Sequence, residues 1–454
     1  MTDTPSSGSE QTRDSSPLRR RSFLTAAGAG ATTALAGCTA LPGGGGGGSG
    51  PIKIGGVYLL SGIASALGTA SAAAARAAIS KINKNGGIMG RDVEFSIRDH
   101  GSNPQQTIKS VVQEFGADVM IGLTSSGVTL NSAPTIESLG IPFTLTDIGT
   151  PYITEYNTDK YGSYYESDTG KAAFTPNIFR TNANTSINTY AMAKYAMEKH
   201  DVTRVANLGP DYAYGQQCWD YFKAYSDGLG ADYEYVASEF PSLGASDMTP
   251  QINSVLEADP DLVFTSFWAG DTTTFVSQAV EQGLFEQVTD VMDTIGADPT
   301  VFSALGDTMP EGYSFSGWYW HSAFDNQYNK QFLNTYADLQ YVADEGLPTI
   351  PSFTGGSTWA AIHIYKKAIE AAGSLNSDDI IAEMEGMTFE KDPRGPITID
   401  PKSHQATAPT VVGKTSTDDD VPYDGVGLSP TQTYTLDRKT ALDLLEGSGL
   451  GPGV

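Results

Sequence analysis

Cysteine is nearly absent from this chain: two residues, Cys38 and Cys218, in 454. One lies in a leader-like segment and the other in a helical stretch, so no disulfide framework is expected, and Cys218 reads as a small core residue. Histidine is equally scarce. The five (His100, His200, His321, His363 and His404) are scattered without metal-ligand spacing, so no metal site and no cofactor are expected. His100, which follows Asp99, is expected on a loop or the surface, with the cleft as the alternative. Positive charge is short too: 27 Lys+Arg against 53 Asp+Glu, a net charge of −26. Such a surface repels polyanions, which disfavours nucleic acid and anionic lipid as partners. It fits a protein kept soluble in very high salt, the alternative being an ordinary acidic secreted protein. The chain lacks a G-x-S-x-G elbow, a P-loop and an H-E-x-x-H pair, so no catalytic residues are expected and an enzyme is disfavoured.

What is present begins at the N-terminus. Residues 1–18 are polar. Arg19-Arg20-Arg21-Ser22-Phe23-Leu24 and the Ala- and Gly-rich run Thr25 to Gly37 resemble a twin-arginine export signal. The run is too short and too rich in glycine for a membrane-spanning helix. It ends in Leu35-Ala36-Gly37-Cys38, which resembles a lipoprotein signal-peptidase site; that implies residues 1–37 are removed and Cys38 carries lipid. Removal takes away four Arg and three acids, so the processed charge is −27. Residues 38–50, with Gly43 to Gly48, read as a flexible tether.

From Pro51 the chain alternates strand and helix patterns. Ile52–Leu60, Val93–Asp99, Ala117–Leu123 and Ile141–Asp147 read as strands. Helices are expected over 67–84, from Asn103-Pro104, and over 129–139. The rhythm repeats with helices 188–199, 214–227, 249–258 and 272–282. Strands Arg204–Leu208, Tyr233–Phe240, Leu262–Trp268 and Val291–Ile295 alternate with them. Repeated βα units with short loops predict two α/β lobes, each built on a doubly wound parallel sheet.

Several phrases carry a resemblance. They include Ile52-Lys53-Ile54-Gly55, Leu60-Ser61-Gly62, Asn85-Gly86-Gly87-Ile88-Met89-Gly90-Arg91 and Ile121-Gly122 through Ser125-Ser126-Gly127. Ile178-Phe179-Arg180-Thr181, Asp211-Tyr212-Ala213-Tyr214-Gly215 and Gly395-Pro396-Ile397-Thr398-Ile399-Asp400 follow in order. Together, over about 51–405, they resemble the type I periplasmic-binding-protein fold in its branched-chain amino-acid (leucine/isoleucine/valine) class of ABC-transporter substrate-binding proteins. The resemblance implies two lobes joined by a three-crossover hinge, residues 51–181 with 325–390 and residues 182–324 with 391–454, and a ligand trapped between them. It also implies a small amino-acid-like ligand, ABC permease and ATPase subunits as partners, a monomer, and a place on the outer face of the cell membrane. A ligand-sensing ectodomain of the same fold is the alternative; such receptors usually continue into a membrane helix, whereas Gly447 to Val454 form a glycine-rich tail.

Candidate ligand-binding residues follow. Hydroxyls and free N–H groups of Thr124-Ser125-Ser126-Gly127, at a helix start, suit a carboxylate; alternatively Ser126 or Thr129 caps the helix. Asp147, in the loop with Ile148, Gly149 and Thr150, matches the family's second carboxylate- and amine-binding stretch, and either holds an ammonium group or caps a turn. Tyr214 matches a cleft tyrosine and Trp268 an aromatic that closes on the ligand, each with a core role as the alternative. The chain departs from the family pattern at Leu67, where a cleft aromatic is common, and near Ile295, where an acidic ammonium partner is usual, with Asp293 and Asp298 close by. An insertion, Tyr152 to Thr175, is also unusual, so leucine-like specificity does not follow.

Overall fold

Short parallel strands of three to seven residues, alternating with helices, build two sheets in this chain. A computed structural model describes residues 50–154 and 176–454. Cys38, the leader, the tether and most of the 152–175 insertion lie outside the described residues. In the first sheet, β1 (Ile52–Tyr58), β2 (Val93–Asp99), β3 (Val119–Thr124), β4 (Phe143–Asp147) and β5 (Ile178–Arg180) are all parallel, in the order β2-β1-β3-β4-β5. The second sheet holds β6 (Arg204–Leu208), β7 (Glu234–Glu239), β8 (Leu262–Thr265), β9 (Asp290–Asp293) and β10 (Ser314–Gly317). Their order, β7-β6-β8-β9-β10, repeats the permutation of the first. Each sheet therefore has a switch point beside its first strand, where loops at the carboxyl ends part and leave a crevice.

Helices cover both faces of the first sheet. Ser65–Lys84 is alanine-rich because it packs closely on Phe353–Ala372; Ala72 to Ala75, Ala77 and Ala78 are buried there. On the other face, Ile108, Val111 and Ile136 pack against Met120, Phe143 and Leu145. Asn103 starts its helix as expected, its side chain accepting from the Gln106 N–H ahead of Pro104. The second sheet is held by an aromatic-rich layer, with Trp219, Phe222 and Phe264 stacked beneath the helix Ala213–Leu229.

One feature of the second lobe was not expected. Its sheet continues past β10 with two antiparallel strands, β13 (Thr410–Ser416) and β14 (Gly427–Tyr434). A short hairpin, β11 (Thr388–Phe389) with β12 (Ile397–Thr398), comes before them in the chain.

The chain passes between the sheets three times: after β5, after β10 and before β13. Ile397, Ile399 and Ala406 still pack in the first lobe's core, so the last passage falls after Ala406 rather than at 390–391. Main-chain bonds join the passages: Arg180 N–H to His404 O at 2.9 Å and Ala406 N–H to Arg180 O at 2.8 Å. The buried pair Asp392–Arg394 adds a bond from Arg394 to the Thr181 carbonyl at 3.0 Å. Residues Gly451 to Val454 are buried as well: Ser186 and Tyr221 hydroxyls donate to the carbonyls of Pro452 and Gly451, each at 2.6 Å.

Candidate functional site

Carboxyl ends of the strands from both sheets converge on one pocket between the lobes. From the first lobe come Leu67, Thr124 at the end of β3, Ser125 and Ser126 after it, Asp147 at the end of β4, and Gly149. From the second come Tyr212 and Tyr214 beyond β6, Trp268 beyond β8, Ile295 beyond β9 and Trp318 beyond β10; Phe353, at the start of its helix, completes the wall.

Ser125 sits at φ 83°, a left-handed conformation unusual for serine, and ends the strand sharply enough to start a helix at Ser126. Ala269 does the same opposite it, at φ 51° before the helix Gly270–Glu281. Each bend aims a helix start toward the crevice. Ser126 is the first helical residue and no side chain caps the helix. Its hydroxyl oxygen accepts from the Thr150 N–H at 3.1 Å, which leaves the hydroxyl proton available to a ligand. Thr129 instead donates back to the Ser125 carbonyl at 3.0 Å. The loop Asp147 to Thr154 is fixed from behind by buried Arg180, which donates to the Thr150 carbonyl at 2.7 Å, to Gln405 at 3.0 Å and to Thr154 at 3.2 Å.

At Gly149 the two lobes meet closely. A Cβ there would stand 2.4 Å from Tyr214 Cδ2, so the tyrosine ring of one lobe rests directly on the backbone of the other. Ser352, capping the helix Phe353–Ala372, donates to Asp298 of the second lobe. The lobes are thus closed on each other, and Ser126, Asp147, Tyr214 and Trp268 are all buried.

Asp147 is paired in register with Thr124. Burial holds its carboxyl well above the usual range, the Thr124 hydroxyl lowers it in part, and the charge of Asp298 raises it further. Asp147 Oδ2 has no hydrogen-bond partner within the protein, and neither do the indole N–H groups of Trp268 and Trp318. Asp293 differs. It accepts from Ile295 N at 3.1 Å, Gly296 N at 2.8 Å and Thr265 at 3.0 Å, yet burial dominates and pushes it up to about 7.

Of the residues singled out in the sequence, Ser125, Ser126, Asp147, Gly149, Tyr214 and Trp268 share this pocket; Gly127, one position into the helix, does not line it. Trp318 and Phe353 were not anticipated. Both flank the second passage, far in sequence from the other lining residues, and an aromatic beside a glycine, as in Gly317-Trp318, was the only local hint. His100 lies in the loop after β2 as expected but is buried there, its main-chain N–H bonded to the Tyr58 carbonyl at 2.9 Å, and does not reach the pocket. Cys218 is buried, and that burial pushes its thiol up to about 12. Among the described residues no cluster of His, Cys, Asp or Glu is arranged to hold a metal.

A larger groove of about 1590 Å³ lies on the first lobe's outer face, lined by Lys81, Trp359, His363 and Lys391 among others. It draws on one lobe only, and two of its lysines are paired, Lys366 with Glu370 and Lys367 with Glu390. The interlobe pocket is the better site, because both sheets direct their strand ends into it.

Two similar α/β lobes closed over a shared pocket define a ligand-trapping binding protein. The chain belongs to the periplasmic binding protein family, whose model matches residues 51–420. The Leu/Ile/Val-binding protein homolog 3 of Brucella melitensis is 23% identical over 334 residues, covering 73% of this chain and 82% of that protein. An amino acid ABC transporter substrate-binding protein from Pseudomonas fluorescens Pf-5 superposes with a TM-score of 0.72 at 19% identity, over 89% of this chain and 99% of that one. A solute-binding protein of an R. palustris ABC transporter, in complex with 4-hydroxybenzoate, gives 0.70 at 22% identity, over 85% and 97%. At these identities the structural likeness is one of fold. These relatives are substrate-binding proteins rather than enzymes.

Proposed function

We propose that this protein is the extracytoplasmic solute-binding subunit of an ABC importer. It captures a small polar metabolite, an amino acid or a related amide or carboxylate, between Ser125, Ser126 and Asp147 of one lobe and Tyr214 and Trp268 of the other. The observation that carries this reading is the pocket assembled from the strand ends of both lobes, with buried polar atoms left unpartnered inside it. A ligand there would complete hydrogen bonds that the protein leaves unmade, and so would favour the closed form. The names of the relatives support a transport role. The leader supports export by the twin-arginine route and a lipid anchor on Cys38, and the charge balance supports a high-salt setting. Among the described residues no helix is long and apolar enough to cross a membrane. The protein is taken as a monomer that docks on permease and ATPase subunits. A thermal-shift screen of metabolites in molar KCl tests the reading. A true ligand at a hundredfold excess over its dissociation constant adds about 2.7 kcal/mol of stability. A broad screen of amino acids, amides and carboxylates with no shift in melting would count against it.

A further inference from the structure

The pocket has an unusual charge balance. None of its twelve lining residues is a lysine, arginine or histidine, and the one acid facing it is Asp147, with Oδ2 unpartnered; a bound cation would offset the burial that disfavours its charge. Asp293 and Asp298 stand behind the wall, occupied by backbone N–H groups and hydroxyls, and bring no positive group to it. Five of the twelve lining residues are aromatic. Trp318 and Phe353 meet edge to face at 4.7 Å, and the rings of Tyr212 and Tyr214 are 5.9 Å apart. Ring faces carry negative potential, so carboxylate and rings together favour a cation.

The kind of cation follows from the supply of acceptors. A primary ammonium brings three donors and needs three acceptors. Here one carboxylate faces inward, the other side-chain acceptors are the weaker hydroxyls of Thr124, Ser125, Ser126, Tyr212 and Tyr214, and the second-lobe wall that might supply another carboxylate presents the apolar side chain of Ile295. An N-alkylated ammonium needs no such acceptors; a carboxylate and ring faces suffice. We propose that the pocket takes a small solute bearing an N-alkylated ammonium group, seated between the Asp147 carboxylate and the rings of Tyr212, Trp268 and Trp318. A carboxylate on the same solute would turn to the Ser126 hydroxyl and the N–H groups of the helix start. This inference rests on the cleft being the solute site and narrows what that site accepts.

The test uses the full chain in molar KCl, read by thermal melting and by fluorescence, since Trp268 and Trp318 line the pocket. The probes are tetramethylammonium, choline and glycine betaine, with leucine and 4-hydroxybenzoate for comparison. At least one alkylated ammonium is expected to bind more tightly than either comparison compound. Asp147→Asn is expected to weaken it by on the order of a hundredfold or more, as for removal of one partner of a buried charge pair. Trp268→Leu is expected to weaken it by roughly two- to thirtyfold. Preferred binding of leucine or 4-hydroxybenzoate, with the tryptophan signal responding, overturns the alkylated-ammonium assignment and leaves the cleft reading standing. No response to any of the three alkylated probes also overturns it, while a hit elsewhere in the metabolite screen would preserve the cleft. Tight binding of an alkylated probe that Asp147→Asn and Trp268→Leu both leave unchanged places the cation outside this pocket and overturns both.

Discussion

Replacing Gly149 by alanine sets a Cβ 2.4 Å from Tyr214 Cδ2, 2.5 Å from Cε2 and 3.0 Å from the Thr185 hydroxyl. Carbon atoms do not approach that closely, so the ring must move or the lobes must part. Gly149 is outside the left-handed region, so the alanine backbone itself fits. The collision with Tyr214 exists only while the two lobes are in contact, so its cost falls on the closed form. Overpacking of this kind costs about 1–3 kcal/mol. Converted through the closing equilibrium, that is roughly a five- to 150-fold loss of affinity for any ligand whose binding requires closure. The open form bears no such cost and gains a few tenths of a kcal/mol from the stiffer unfolded chain, on the order of 0.4–1. Titration calorimetry with a hit from the metabolite screen measures the first effect, and small-angle scattering of the ligand-free protein measures the shift toward the open form. An affinity within twofold of wild type, with unchanged scattering, would refute the claim that closure seats Tyr214 on Gly149.

Three further outcomes are expected. Asp293 is raised from 3.8 to about 7 by burial, so the folded state binds more protons than the unfolded between those values, and stability should fall as pH rises through that window. Asp293→Asn should flatten the fall and stabilise the protein at pH 8 by at most about 4 kcal/mol, roughly three units at 1.36 kcal/mol each; parallel pH–melting curves for variant and wild type would contradict this. Cys38→Ser should release the protein to the medium or leave it unprocessed, and a membrane-bound variant of wild-type mobility on gels would count against the lipid anchor. Lowering salt should destabilise the fold, because like charges repel over a Debye length of about 10 Å at 0.1 M against 3 Å at 1 M; equal melting temperatures in dilute buffer and molar KCl would contradict that.

Much of the parallel framework is legible in the chain because each strand is a short apolar run next to a helix pattern. β2 and β6 begin and end where the sequence places them, and others, such as β8, stop earlier where the chain turns into the pocket. The antiparallel extension is not legible. Pro430 in Gly427–Tyr434 reads against a strand, but β14 lies at the sheet edge and Pro430 sits beside a register shift opposite Gly413, where a missing N–H is tolerated. The pocket residues near strand ends, Ser126 and Asp147 among them, can be found locally, since loops after parallel strands face the crevice. Trp318 and Phe353 cannot, because only the return of the chain to the first lobe brings them to the pocket. The role of Gly149 is likewise invisible in sequence: it depends on a tyrosine 65 positions later folding onto it from the other lobe.

The most direct test of the central claim is a crystal structure with the metabolite that most raises the melting temperature. The account predicts ligand density in the closed interlobe pocket, within hydrogen-bond distance of the Ser126 hydroxyl and the Asp147 carboxylate and in contact with Tyr214 and Trp268. Ligand seated in the outer groove beside Lys81 and Trp359, with nothing between the lobes, would contradict it.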